Sequence, residues 1–307
     1  MAGQDFVFSG VYAAALTPLT DDLDPDIELM AAHCRWLLDN GCDGLAILGT
    51  TGEANSFGLK ERIGILDGLA EAGIPGEVLL PGTGACALPD AIALSRVAID
   101  HGAAGVLMLP PFYYKNPSDD GLFAAYSEVI QKIGDDRLRI CLYHFPQMSG
   151  VPIPYSLIER LVKEYPDTIV GMKDSSGDVD NMIGAAKNFP GFAVFSGSDE
   201  LLLASIEAGG AGCITACANV ASRLAAEVYG GWVRGEDVRA ANETLTAVRN
   251  TIMKFPLSTA LKTLMARHSG NDGWLNIRPP LTRMSDTDRD TLFGTFDAIG
   301  FEVPLAA

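Results

Sequence analysis

A chain of 307 residues, 48% hydrophobic and 20% charged, can build a large core and is not a disordered polypeptide. Its 22 basic and 39 acidic residues leave a formal net charge of −17, which argues against a nucleic-acid surface and against docking on an anionic membrane. The apolar runs are strand-sized and none approaches the roughly 20 residues of a membrane span.

Residues 11–16 form a first apolar run, ended by Thr17-Pro18; Asp24-Pro25-Asp26 then has helix-start chemistry and opens a helix over 27–38. Residues 44–48 read as a second strand running straight into Gly49-Thr50-Thr51-Gly52-Glu53, with a helix over 59–72 after it. A third strand at 78–80 ends in Pro81-Gly82-Thr83-Gly84 and precedes a helix over 89–101. The fourth strand, 105–109, is closed by Pro110-Pro111; the loop bearing Tyr113, Tyr114 and Lys115 leads to a helix over 119–133. The fifth, 139–143, is followed by His144-Phe145-Pro146 and a helix over 154–163. The sixth, 169–173, ends on Lys173 and turns through Asp174-Ser175-Ser176-Gly177 into a helix over 179–187. The seventh is 193–196, with a helix over 200–208, and the eighth is 212–215. From residue 221 the pattern is helical, with breaks expected at Gly230-Gly231, Pro256 and Gly270.

Eight short apolar runs alternating with helices predict an α/β fold, a (β/α)8 TIM barrel over residues 1–220, with a C-terminal helical region over 221–307. A doubly wound sheet would alternate in the same way, but no G-x-G-x-x-G follows an early strand. Met1 to Ser9 lacks the basic-then-apolar pattern of a secretory leader. The six cysteines show no C-x-x-C pairing, so buried free thiols in a cytoplasmic protein are expected.

Barrels of this kind carry their active site at the C-terminal strand ends. Thr17, Thr50, Thr51, Tyr113, Tyr114, Tyr143, Lys173, the segment Ser196 to Glu200, and Thr215 stand there. This rim is rich in hydroxyls and holds one lysine; it has no histidine–carboxylate set of metal-ligand spacing, so no metal is expected. A lysine at the mouth of a buried strand carries its amine in apolar surroundings, where desolvation favours the free base that attacks carbonyls. Thr50, Thr51 and the free amides around Gly52 suit a carboxylate, and a buried phenol at Tyr143 can relay protons. His144, a lone histidine beside Phe145-Pro146, reads as structural. Asp199-Glu200 either begins a helix, where carboxylates suit the dipole, or faces the site. Cys213 and Cys217 read as core packing.

Together Gly49-Thr50-Thr51-Gly52-Glu53, Tyr143-x-x-Pro146 and Gly171-Met172-Lys173-Asp174 resemble the dihydrodipicolinate synthase / N-acetylneuraminate lyase superfamily of lysine-dependent pyruvate aldolases. The resemblance continues through Gly82-Thr83-Gly84, Tyr113-Tyr114, Ser196 to Glu200 and Gly212-Cys213-Ile214-Thr215. It implies a lyase whose Lys173 forms a Schiff base with a 2-oxo acid, with no cofactor beyond that covalent imine. By the same resemblance Thr50, Thr51 and the backbone around Gly52 hold the substrate carboxylate, Tyr143 passes protons, and Thr50–Tyr143–Tyr114 form a relay in which Tyr114 reaches a neighbouring subunit. A homo-oligomer, dimer or tetramer, follows. Ser175, Gly197, Asp199, Glu200 and Ile214 fall in the substrate site, the acidic pair resembling the one that meets sugar hydroxyls in the sialic acid lyase branch.

Where the synthase carries an arginine that clamps aspartate semialdehyde, this chain has Met148, and a thioether cannot make that bidentate contact. A pyruvate aldolase or dehydratase acting on a 2-oxo-3-deoxy sugar acid or a related hydroxy-oxo acid therefore fits best. The alternatives are the synthase itself, with Lys115 supplying the missing cation, a non-catalytic 2-oxo acid sensor, and a metal-dependent aldolase barrel, the one reading in which a chelator would abolish activity.

Overall fold

In the computed structural model, which describes residues 8–304, seven of the eight apolar runs form strands. They are β1 (Gly10–Ala13), β2 (Gly44–Leu45), β3 (Val106–Met108), β4 (Ile140–His144), β5 (Ile169–Asp174), β6 (Ala193–Ser196) and β7 (Gly212–Thr215). All pair in parallel, in the order β2-β1-β7-β6-β5-β4-β3, and the sheet curls into a half-barrel. Parallel neighbours need crossovers, and the helices supply them.

The expected third strand is corrected. Gly76–Val78 is a 3-10 turn, and the stretch after it makes only isolated bridges, Leu45 with Leu79 and Gly82 with Leu107. Pro81 has no N–H to give to a ladder, which interrupts regular pairing there. The backbone still bonds to both flanking edges. Leu80 N–H donates to Leu45 O at 2.9 Å and Gly82 N–H to Ile47 O at 2.8 Å, while Leu107 N–H donates to Pro81 O at 2.8 Å. A Cβ at position 82 would lie 2.1 Å from Leu48 O, so only glycine allows that approach.

Tyr12, Leu107, Cys141, Tyr143, Phe195 and Ile214 form one buried cluster on the concave face, joined by Ala46 and Leu80, with Val170 of β5 packed against it. Alternate residues, such as Val106, Ile140, Leu142 and Met172, pack outward against the helices. A packed interior of this kind leaves the strand ends as the place for chemistry.

After β7 the chain is helical. Ala218–Val233 runs through Gly230-Gly231, so the expected break there is not found; Ala221 (φ −126) kinks the helix instead. Gly231 is a packing glycine, since a Cβ would come within 2.6 Å of Val238, and the chain turns at Gly235 (φ 78). Pro256 caps the start of Leu257–Ser269 and the left-handed Gly270 its end, as expected. No described helix is long and apolar enough to cross a membrane. The expectation about a leader falls mostly on residues 1–7, outside the described residues. Cys86 is exposed and the other five cysteines are buried and free.

Asn219 stitches this helix to the sheet. Its amide donates to Ala14 O and Ala216 O, both at 2.8 Å, and its carbonyl accepts from Leu16 N–H at 3.0 Å. The same carbonyl lies 2.9 Å from His33 Nε2, which therefore carries the ring proton. His33 is sealed between Trp36 and Trp274, and burial pushes its pKa down to about 4. A folded value below the unfolded 6.5 means that the unfolded chain takes up the proton first. Stability is thus full above pH 6.5 and lost as pH falls toward 4, by about 3 kcal/mol. In urea titrations at pH 7 and 4.5, His33→Gln should lose less stability on acidification than the wild-type chain. Equal losses would contradict this assignment.

Candidate active site

Lys173 lies one residue before the end of β5, at the same register as Tyr143 on β4. It points into the concave face because of a bulge. The register slips from Ile140↔Ile169 to Cys141↔Gly171, so Val170 is an extra residue in β5. One extra residue reverses the side-chain alternation: Met172 packs outward and Lys173 inward. Gly171 permits the bend, since a Cβ there would sit 2.4 Å from Ala193 O.

Lys173 is 4% exposed, and its amine nitrogen lies 4.5 Å from the centre of the Tyr143 ring. Among the described residues no carboxylate pairs with it. The nitrogen is therefore not held away from an incoming carbonyl. The Tyr143 hydroxyl faces Thr50 Oγ1 at 3.4 Å, longer than an ordinary hydroxyl contact and close enough for a small movement to complete it.

The turn that carries Thr50 is unusual backbone. It lies between two left-handed non-glycine residues, Leu48 (φ 54) and Glu53 (φ 56), each at a cost of about 1–2 kcal/mol. Among the described residues nothing accepts from the N–H groups of Thr50, Thr51 and Gly52. Three unspent donors at a buried turn suit an anion. Gly52 cannot be replaced lightly: its carbonyl accepts from Thr17 Oγ1 at 2.9 Å, and a Cβ would meet Ala15 O at 2.7 Å.

Other sequence candidates are placed as follows. Ser175 N–H donates to His144 O at 2.8 Å and Gly197 N–H to Asp174 O at 2.7 Å, which knits the β4, β5 and β6 ends together. A Cβ at Gly197 would strike Ser175 Oγ at 2.1 Å. Ile214 lies in the concave cluster with Tyr143. Asp199 is 0% exposed and faces Arg249 Nη1 at 3.5 Å; Glu200 faces the same guanidinium at 3.8 Å. The acidic pair is thus committed to the helix Arg239–Ile252. Tyr114 is 79% exposed, stacked edgewise on Tyr113 and outside the Lys173 cluster within its own chain. His144 is structural: Nδ1 accepts from Ile153 N–H at 3.0 Å, and burial lowers its pKa. Lys115 gives its ammonium to the carbonyls of Phe112 and Ser149, and Met148 is 61% exposed.

Two buried cations escape sequence reasoning. Arg62 donates to Gly82 O at 2.8 Å with its Nε unpartnered, beside a small cleft that Thr50 and Tyr143 also line. Burial holds its pKa below the usual arginine value. Lys262, from the C-terminal region, pairs with Glu53. The signal for Lys262 was present: a charge inside the apolar run Ala260-Leu261-Lys262-Thr263-Leu264.

The profile of the dihydrodipicolinate synthetase family matches residues 7–299. An uncharacterized DapA-like lyase of Chloroflexus aurantiacus is 36% identical over 292 residues, 94% of this chain and 96% of that protein. A 4-hydroxy-tetrahydrodipicolinate synthase of Agrobacterium fabrum is 31% identical over 281 residues, 90% of this chain and 92% of that one. The crystal structure of dihydrodipicolinate synthase from Agrobacterium tumefaciens superposes with a TM-score of 0.88 at 35% identity, covering 94% of this chain and 99% of that one.

Proposed function

The chain belongs to the dihydrodipicolinate synthetase family of lyases, and from that premise we propose that it is a Schiff-base enzyme acting through Lys173 on a 2-oxo acid. The observation that carries this reading is the buried amine of Lys173 over the Tyr143 ring, with the Tyr143 hydroxyl aimed at Thr50. The amine adds to the keto carbon, and the carbinolamine expels water as an imine. Tyr143 gives and takes the proton that this exchange moves on oxygen. The protonated imine is an electron sink that stabilises a carbanion at the neighbouring carbon as an enamine, so the bond from that carbon to the next one breaks or forms, or, once that carbon has lost a proton, a hydroxyl on the next one leaves as water. The unspent N–H groups of Thr50, Thr51 and Gly52 hold the substrate carboxylate, with Ser175, Gly197 and Ile214 around the chain of the substrate. No resident cofactor is needed for these steps.

The same reading completes the (β/α)8 barrel with the stretch after Gly76–Val78, and treats residues 221–307 as a helical region packed on it. It makes the protein a cytoplasmic homo-oligomer in which the exposed Tyr114 enters the partner subunit's site.

For the substrate, a second carboxylate finds no clamp: Met148 stands at the arginine position and Lys115 is spent on backbone carbonyls. A 2-oxo-3-deoxy sugar acid or similar hydroxy-oxo acid is the better fit, although Asp199 and Glu200 are paired with Arg249 and would need to leave it to meet sugar hydroxyls. The second reading is condensation of pyruvate with aspartate semialdehyde, favoured by the activity named for the Agrobacterium fabrum relative. A panel of 2-oxo-3-deoxy sugar acids, assayed for pyruvate release, is set against pyruvate plus aspartate semialdehyde. Turnover in the first set supports the sugar-acid reading; turnover with aspartate semialdehyde alone replaces it by the second. On whichever substrate turns over, Tyr143→Phe should lower kcat by about 10²–10⁴-fold and slow the formation of the Lys173 adduct. A Phe variant with wild-type kcat would remove Tyr143 from the proton path.

A further inference from the structure

Lys262 belongs to the C-terminal helix Leu257–Ser269, yet its ammonium ends at the catalytic rim. Its side chain is 2% exposed and lies against the fully buried Glu53 carboxylate, and it donates to Asn276 O at 2.8 Å. One helical turn earlier, Ser258 Oγ donates to Thr51 O at 3.1 Å. Two side chains of one helix, four positions apart, therefore grip two residues of the Thr50–Glu53 turn.

That turn is bounded by the left-handed Leu48 and Glu53, a backbone that persists only where its surroundings over-determine it. A buried ion pair is rarely better for stability than a well-packed apolar pair, and its best-attested use is to fix one arrangement. Here the arrangement fixed is that of the residue directly after Gly52. Asn276 extends the grip, since its amide donates to Leu19 O at 3.1 Å on the neighbouring rim loop.

We propose that Lys262 is a positioning residue: through Glu53 it holds the N–H donors of Thr50, Thr51 and Gly52 where they bind the substrate carboxylate. The C-terminal helix thereby sets the affinity of a turn that it grips at Thr51 O and at Glu53. The inference rests on the carboxylate-binding role given to that turn above.

The test uses full-length Lys262→Met and the double variant Glu53→Met/Lys262→Met. Borohydride-trapped adduct on Lys173 is followed against pyruvate concentration, giving a half-saturating concentration and a saturating rate. Both variants should need about tenfold more pyruvate, with a saturating rate close to that of the wild-type chain. Thermal melts supply the contrast. The double variant, freed of buried charge, should regain stability lost by Lys262→Met while its half-saturation stays raised. A folded double variant with wild-type half-saturation would overturn the proposal. Should neither Met variant fold, Ser258→Ala decides: a raised half-saturation supports the grip on the turn, and an unchanged one overturns it. A wild-type chain that forms no adduct with any 2-oxo acid is a separate result, which removes the Schiff-base reading and this inference with it.

Discussion

Lys173→Ala is expected to form no borohydride-trapped adduct and to lose turnover by roughly 10⁴-fold or more, the scale on which removal of a covalent nucleophile acts. No described amine is placed to take over. Lys115 is held by two backbone carbonyls, and Lys262 by Glu53 and Asn276. The loss should not be a folding defect, because Lys173 makes no ion pair and its neighbours Tyr143 and Phe195 keep their places in the concave cluster. Far-UV circular dichroism and a melting curve like those of the wild-type chain would show that. A folded alanine variant retaining turnover would contradict the imine mechanism.

Glu53→Ala is expected to be the most destabilising single change at the rim. It leaves the Lys262 ammonium buried without a counter-charge, which costs about 3–5 kcal/mol and lowers Tm by roughly 5–10 °C for a chain of this size. The loss has a pH signature. Burial lowers the Lys262 pKa from 10.5, and Glu53 is what opposes that shift. Without Glu53 the folded value sits further below the unfolded one. The unfolded chain then holds the extra proton between the two values, so stability rises with pH across that window. Melts at pH 7 and pH 9.5 should show the variant's deficit shrinking at the higher pH. A variant that melts with the wild-type chain at both would show that the pair carries no burden.

The strands and the site were legible to different depths. Apolar runs closed by glycine and proline marked seven strands, because burial of both sheet faces leaves little ambiguity in such a run. The third run, 78–80, kept its place between two edges and lost its regular ladder, an effect of Pro81 that composition alone does not weigh. Lys173, Tyr143 and Thr50 could be named from strand ends, and the chain brings them together. The bulge that turns Lys173 inward could not be read, since a strand with one extra residue looks like any other strand. Side-chain commitment was equally hidden. Asp199 and Glu200 read as a helix start or as a pair facing the site until Arg249, far along the sequence, is found against them. Tyr114 needs a second chain to have a role in catalysis, and a single sequence says nothing of where such a chain docks.

The central claim is that one lysine does covalent chemistry, and trapping tests it most directly. The wild-type protein is incubated with pyruvate and borohydride, digested, and its peptides are weighed. A reduced pyruvyl adduct confined to the peptide carrying Lys173 is the predicted result. A folded protein that yields no adduct there, with pyruvate or with any other 2-oxo acid, would contradict the account.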